Sequence, residues 1–335
     1  MTDVERGARR GLSAREVEGL ALGMLGVLAF SMTLPATRVA ATEMGGTLVG
    51  LGRAVVAALL AALLLAATRQ RVPERRHWGG LAIVVLGVVV GFPLFSALAL
   101  ASLPAAHAAV VVGLLPAATA VAAVARGHER PPLVFWLGCG LGVVAVLAFA
   151  VAQGAGLPRP ADGLLLVAVA LGGLGYAEGG RISRELGSWR VICWALVMAL
   201  PFVAVPVIWV VARDLAGSGL HMDARGWAGF AYVSVVSMFL GFFPWYRGLA
   251  IGGVARVGQL QLVQPVLTLA WSAWLLHERV STATVLAALL VIASAGASVA
   301  ARPRGQNGRL GSAPSLSGLT ARAAESEVGN ADRRS

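Results

Sequence analysis

Lysine is missing altogether: all 27 basic residues of this 335-residue chain are arginines. Without lysine there is no Walker-A residue for a P-loop ATP site and no Schiff-base partner for a pyridoxal or retinal cofactor. Charge of either sign is also scarce, at 13% of residues against the ~25% usual in soluble domains. With 58% hydrophobic residues, too little polar surface remains to cover a water-soluble globule. The only cysteines, Cys139 and Cys193, lie inside apolar runs and read as small core residues, so no disulfide framework follows. The five histidines and two cysteines show no metal-ligand spacing, and His-Glu-Arg is not the His-Glu-x-x-His of a zinc site. No metal and no cofactor is expected.

What the chain does have is apolar blocks, near residues 20–40, 47–68, 78–101, 106–125, 133–152, 162–183, 191–212, 227–246, 256–276 and 282–301. Blocks of roughly 20 residues are long enough to cross ~30 Å of hydrocarbon at ~1.5 Å per residue. The expected fold is all-α and integral to the membrane, with ten transmembrane helices. Val39-Ala40-Ala41 resembles a signal-peptide cleavage site, but the first run is far longer than the ~7–15 residues of a secretory signal. An uncleaved first helix is the reading. Gly138xxxGly142, Gly175xxxGly179 and Gly248xxxGly252 set small residues on one helix face, which permits close backbone packing in lipid.

The net charge of +11 does not point to nucleic acid, because the arginines sit in short loops and tails between apolar blocks. With the N-terminus in the cytoplasm, the inner loops hold Arg69, Arg71, Arg75, Arg76, Arg126, Arg130, Arg181, Arg184, Arg190, Arg247 and Arg256. The outer loops hold only Arg159, Arg213, Arg225 and Arg279. That bias places both termini inside a multi-pass protein of the cell (inner) membrane. The tails are expected at 1–18 and 302–335, the second rich in Gly, Ser, Ala and Arg and expected to be disordered.

The chain repeats itself. Residues 76–130 align without a gap to 225–279, an offset of 149 (76 to 225). Trp78 matches Trp227, Leu100-Ala101 matches Leu249-Ala250, Pro116 matches Pro265, Thr119 matches Thr268, and His128-Glu129-Arg130 recurs as His277-Glu278-Arg279. Phe30 to Arg38 corresponds to Gly173 to Arg181 at a shorter offset of 143 (38 to 181). The chain then divides into five helices (19–152) and five more (162–301). Five is odd, so the second copy enters the membrane upside down. Two inverted repeats have two nearly equivalent packings, one open to each side, with a site near the midplane.

This pattern resembles the EamA-type transporters of the drug/metabolite transporter superfamily. The resemblance rests on Leu51-Gly52-Arg53 opening the second helix, Leu98-Ala99-Leu100 leaving the third, and the Pro116 and Pro265 helices. Each of those proline helices ends in a Glu-Arg turn, Glu129-Arg130 or Glu278-Arg279. It covers roughly residues 19–301. It implies ten helices in an inverted 5+5 fold and the exchange or export of small metabolites and amino-acid-like compounds. Pro93, Pro244 and Glu178 depart from the pattern.

An ionisable group inside a span costs about 2.5–3.5 kcal/mol, so each needs an account. Glu178 is the only carboxylate clearly within an expected helix. It could bind a cation or exchange a proton, or pair with Arg181 three residues on, on the same face. Arg53 lies ~9 Å into the second helix and could grip a carboxylate or phosphate, or snorkel to the interface. Arg38 ends the first helix, where snorkelling is the simpler reading. Gln261, Gln264 and Thr268 form one polar stripe of the ninth helix, and Pro265 is expected to free the Gln261 carbonyl toward a cavity. The matching positions Val112, Leu115 and Thr119 are mostly apolar, so the second half is expected to supply the site's polarity. Trp245, Tyr246 and Tyr176 could line that cavity, although interfacial anchoring is the commoner use of such side chains. His107 reads as a loop residue at the start of the fourth helix.

The function these features favour is a secondary transporter of a small-molecule solute in a lipid bilayer, exporting by alternating access. Proton or ion coupling and a homodimer are compatible with the pattern, and the sequence selects neither. The alternative is a membrane-embedded enzyme or accessory protein acting on lipid-linked substrates. It would need a carboxylate or histidine cluster at one interface, whereas Glu129 and Glu278 fall on opposite sides. No enzymatic role is expected.

Overall fold

The computed structural model describes residues 14–127, 132–153, 159–216, 223–252 and 257–301. Among them all regular structure is helical. Among the described residues, eight helices are long and apolar enough to cross a membrane. They are α1 (Ala14–Met44), α2 (Gly46–Ala67), α3 (Arg75–Leu100), α4 (Ala105–Ala125), α5 (Leu133–Ala152), α6 (Pro160–Leu186), α7 (Ser188–Leu215) and α8 (Ala224–Gly252). A 3-10 segment at Gly258–Val263 then leads into α9 (Gln264–Leu275), and α10 (Thr282–Ala301) follows. Leu63, Leu133, Leu137, Phe202, Val205, Ile208 and Trp209 are each more than half exposed. Such a surface is unstable against water and natural against lipid.

The block expected at 256–276 is not a single long apolar helix. Its glutamines dilute the hydrophobicity, and Pro265 has no amide to donate back to the Gln261 carbonyl. Rather than being freed, that carbonyl takes the Gln264 N–H in a 3-10 bond. Of the tail expected at 1–18, residues 1–13 lie outside the described residues and 14–18 are helical. His128-Glu129-Arg130, Arg256 and the 302–335 tail lie outside the described residues.

Two wide turns were not expected. Val85–Gly91 in α3 and Tyr232–Leu240 in α8 are π-helical, and the Gly241 N–H reaches back five residues to the Val236 carbonyl (2.7 Å). Each ends just before a proline, Pro93 or Pro244, where the ordinary backbone ladder lacks a donor. Gly45 and Gly187 join α1 to α2 and α6 to α7 with φ of +78° and +87°, a region that suits glycine.

The helices pack in reciprocal pairs: α1 against α8, α3 against α6, α2 against α7, and α5 against α10. Gly248 and Gly252 of α8 face Gly23 and Gly19 of α1, so two backbones meet where side chains would keep them apart. Trp78 and Trp227 stand half-exposed near the starts of α3 and α8, and the Trp78 indole donates to the Pro73 carbonyl (3.0 Å). Their amphipathic rings suit a membrane–water interface.

Charged side chains tie the corners. Arg38 does not snorkel freely: its Nη1 donates to the Leu100 carbonyl at the end of α3 (2.6 Å). The Glu278 carboxylate accepts from the Ala105 and Ala106 amides at the start of α4 (2.9 and 2.8 Å). Each charge sits at the helix end whose dipole favours it. Asp223 caps α8 by accepting from the Gly226 N–H (2.8 Å), and that bond holds its carboxyl below the ordinary aspartate range.

Candidate functional site

Two small cavities adjoin in the core, and both are built around the break in α1. That helix turns at Met32, between segments Ala14–Ser31 and Thr33–Met44. Ser31 at the break is held by α9: Thr268 Oγ1 donates to its carbonyl (2.8 Å) and the Trp271 indole to its hydroxyl (3.0 Å).

The first cavity, with about 10 Å³ of free space, is lined by Leu34, Ala109, Val112, Leu115, Pro116, Gln261, Gln264, Pro265 and Thr268. Val112 and Leu115 face it together with Gln261 and Gln264, their counterparts in the repeat. Both side-chain polar atoms of Gln261 and Oε1 of Gln264 are buried with no protein hydrogen-bond partner. A buried amide left unpaired costs about 1–3 kcal/mol, so a polar partner placed there would stabilise these groups.

The second cavity, about 20 Å³, is lined by Phe30, Thr33, Leu34, Arg53, Val88, Phe92, Tyr176, Ser237, Met238, Phe242 and Gln264. Both π-helical segments reach it, through Val88 on one side and Ser237 with Met238 on the other. Thr33 and Ser237 hydrogen-bond to each other (2.7 Å). Arg53 is only 2% exposed, and its Nε and Nη1 have no protein partner. No Asp or Glu lines either cavity among the described residues. Leu34 and Gln264 border both.

An aromatic cluster backs the second cavity. Phe30 lies 4.8 Å from Phe242 and 6.1 Å from Trp245, and Tyr176 lies 6.0 Å from Phe242 and 5.9 Å from Trp245, centroid to centroid. Interfacial anchoring of Trp245, Tyr246 and Tyr176 is thereby corrected: Trp245 is 1% exposed, Tyr246 0% and Tyr176 6%. Composition cannot tell depth within a helix, and Trp78 and Trp227 hold the positions suited to anchoring. The Trp245 indole N–H and the Tyr246 hydroxyl are buried without partners, the latter packed against Gly179.

Trp245 and Tyr246 stand behind the cavities and line neither, and two further expected residues lie elsewhere. Glu178 is 1% exposed and forms a two-bond ion pair with Arg181, at 2.6 and 3.2 Å, outside both cavities. Arg38 ties the α3–α4 corner. Nor is Glu178 alone as a buried helical carboxylate: Asp162, in the first turn of α6, is 3% exposed. It shares a 2.6 Å hydrogen bond with Nε2 of His107, which is a buried residue of α4 rather than a loop residue. The other Asp162 oxygen accepts from the Arg159 amide (2.9 Å), and Phe149 packs on the imidazole at 4.8 Å. Asp162→Ala would orphan His107 and lower stability by about 1–3 kcal/mol. That loss would be read as a fall in melting temperature of the purified protein, while Asp162→Asn keeps most of it. Thr33, Ser237, Phe30 and Phe242 were also missed; a short hydroxyl in an apolar helix is too common to single out.

The arrangement keeps unpaired polar groups buried beside two small cavities, and comparison with known proteins bears on what they serve. The EamA-like transporter family matches this chain twice, at residues 17–151 and 159–299. The chain belongs to the EamA-like transporter family. It is 46% identical over 270 residues to the "Uncharacterized transporter YdeK" of Bacillus subtilis (strain 168), covering 81% of this chain and 93% of that protein. A solved crystal structure aligns with 84% of the chain and 96% of its own length, at 18% identity and a TM-score of 0.55, which speaks to fold alone. The two EamA matches divide the cavity walls between them. Phe30, Arg53 and Phe92 come from the first, and Tyr176, Ser237, Phe242 and Gln264 from the second.

Proposed function

We propose that this EamA-family protein is a secondary transporter that exports small metabolites or amino-acid-like compounds by alternating access. In this reading ten transmembrane helices form two inverted five-helix halves, residues 19–152 and 162–301, with both termini in the cytoplasm of a cell (inner) membrane. The observation that carries it is the pair of cavities walled by both family matches and furnished with buried, unpaired polar side chains.

Several features support inversion. The π-helical turns fall in corresponding helices, α3 and α8. The packing is reciprocal, α1 on α8 as α6 on α3. Val112 and Leu115 oppose Gln261 and Gln264 across one space. Exchanging the two packings of such a pair would open the same residues first to one side and then to the other. The described state encloses only small cavities, each with room for about one water, so the halves must part before a solute enters. Arg53, Gln261, Gln264, Tyr176, Trp245 and Tyr246 make up the proposed site and its aromatic backing. Glu178 and Arg38 hold the framework around it.

The reading is tested by efflux from cells overproducing the protein, screened against a panel of labelled organic acids, amines and amino acids. Overproduction lowers the intracellular level of the transported compound. Gln261→Leu and Gln264→Leu each reduce that efflux about tenfold, the worth of one buried hydrogen bond. Normal efflux in both variants would remove the cavity from the transport path.

A further inference from the structure

Resting on the transporter reading, we infer that the solute of the Arg53 cavity is an organic monoanion: one carboxylate on a flat, aromatic-type body, with no ammonium group. Charge balance leads to it. Arg53 is a buried cation with two unpaired nitrogens, and among the described residues no carboxylate lines either cavity. A guanidinium left so in a low-dielectric core is strongly destabilised until an anion arrives. A carboxylate brings one negative charge and two oxygens, each able to accept from those nitrogens.

The same balance sorts the alternatives. A zwitterionic amino acid adds an ammonium beside Arg53, so the occupied cavity keeps a net positive charge and its desolvation penalty. An amine adds a second positive charge and is repelled. A dianionic phosphate overcompensates the single guanidinium, and no second arginine lines the space to receive it. Only a monoanion leaves the closed site neutral.

The body of the solute follows from the remaining wall. Phe30, Phe92, Tyr176 and Phe242 line it, and the preferred company of an aromatic ring is another flat apolar group. Gln264 and Gln261, one cavity further on, can hydrogen-bond a neutral polar substituent at the far end once Leu34 and Gln264 turn aside. The solute would therefore lie with its carboxylate at α2 and its far edge toward α9.

Binding to the purified full chain in detergent, by calorimetry with benzoate, 3-phenylpropanoate, phenylalanine, benzylamine and inorganic phosphate, tests the inference. Benzoate or 3-phenylpropanoate should bind and the other three should not. Arg53→Gln should weaken that binding about ten- to a hundredfold, the worth of a charge-assisted hydrogen bond. Arg53→Lys, which keeps the charge but not the planar donor set, should fall between, with thermal melts establishing that both variants are folded. Binding of phenylalanine or benzylamine in preference to the acids, or acid binding indifferent to Arg53, overturns the inference. Uptake of the same probes into proteoliposomes judges the transporter reading separately. Arg53-dependent binding of the acids without movement would sink that reading alone. Movement of phenylalanine unaffected by benzoate would sink only the anion inference.

Discussion

Arg53→Met should abolish transport while leaving the melting temperature of the purified protein unchanged or raised. Binding residues and structural residues usually separate in the opposite way, since a buried charge with good partners is destabilising to remove. Here the partners are missing: Nε and Nη1 of Arg53 are buried and unsatisfied, and the side chain is 2% exposed. An unpaired ionised group inside a span is unfavourable by about 2.5–3.5 kcal/mol on insertion scales, and replacing buried ions by apolar side chains of similar volume is often neutral or stabilising. Methionine is long and flexible enough to fill much of the same space. The protein therefore holds Arg53 against its own stability, which is reasonable if a ligand supplies the counter-charge in each cycle. The two measurements are a thermal melt in detergent and efflux from overproducing cells. A fall of several degrees together with retained efflux would make Arg53 a structural residue and empty the proposed site of its main feature.

What was legible beforehand was local or statistical. The membrane class follows from scarce charge and ~20-residue apolar blocks, and the doubled family match at 17–151 and 159–299 agrees with the repeat read from Trp78/Trp227 and Pro116/Pro265. The Glu178–Arg181 pair was visible because residues three apart share a helix face. Arg53 and the Gln261–Gln264 stripe stood out because polar groups are rare in spans. Contacts between distant segments were not legible. Arg38 reaches Leu100, 62 residues on; His107 meets Asp162, 55 on; and Glu278 caps a helix 173 residues before it. Each is set by how the helices cross, which no local pattern records. The π-helical turns belong with them, since a proline announces a lost hydrogen bond but not how the ladder closes around it. Trp245 and Tyr246 looked like anchors because composition carries no information on which face of α8 turns inward.

The second large effect should come from a glycine. Gly87→Val is expected to destabilise the protein by about 1–3 kcal/mol or more, the range for overpacking a close contact. A β-carbon on Gly87 would lie 2.8 Å from both the α-carbon and the amide nitrogen of Gly175, and would also collide with the Leu171 carbonyl. All are backbone atoms of α6, which cannot turn aside as a side chain can, so α3 and α6 must separate along their seam. In lipid the attraction between helices comes chiefly from such close packing, since lipid is as apolar as the helices themselves. The neighbouring Val88 lines the cavity, so a displaced α3 also misplaces one wall of the site. Gly140→Val is the matched control: it makes the same change inside α5, where nothing lies within 4 Å of the new β-carbon. Gly87→Val should melt several degrees lower and lose transport, and Gly140→Val should do neither. The comparison removes the general effect of valine in a helix and leaves the seam. Equal melting temperatures for the two variants would mean that α3 and α6 are not held at backbone contact. The reciprocal packing predicts the same contrast for Gly252→Val, whose β-carbon would press on the Gly19 backbone where α8 crosses α1.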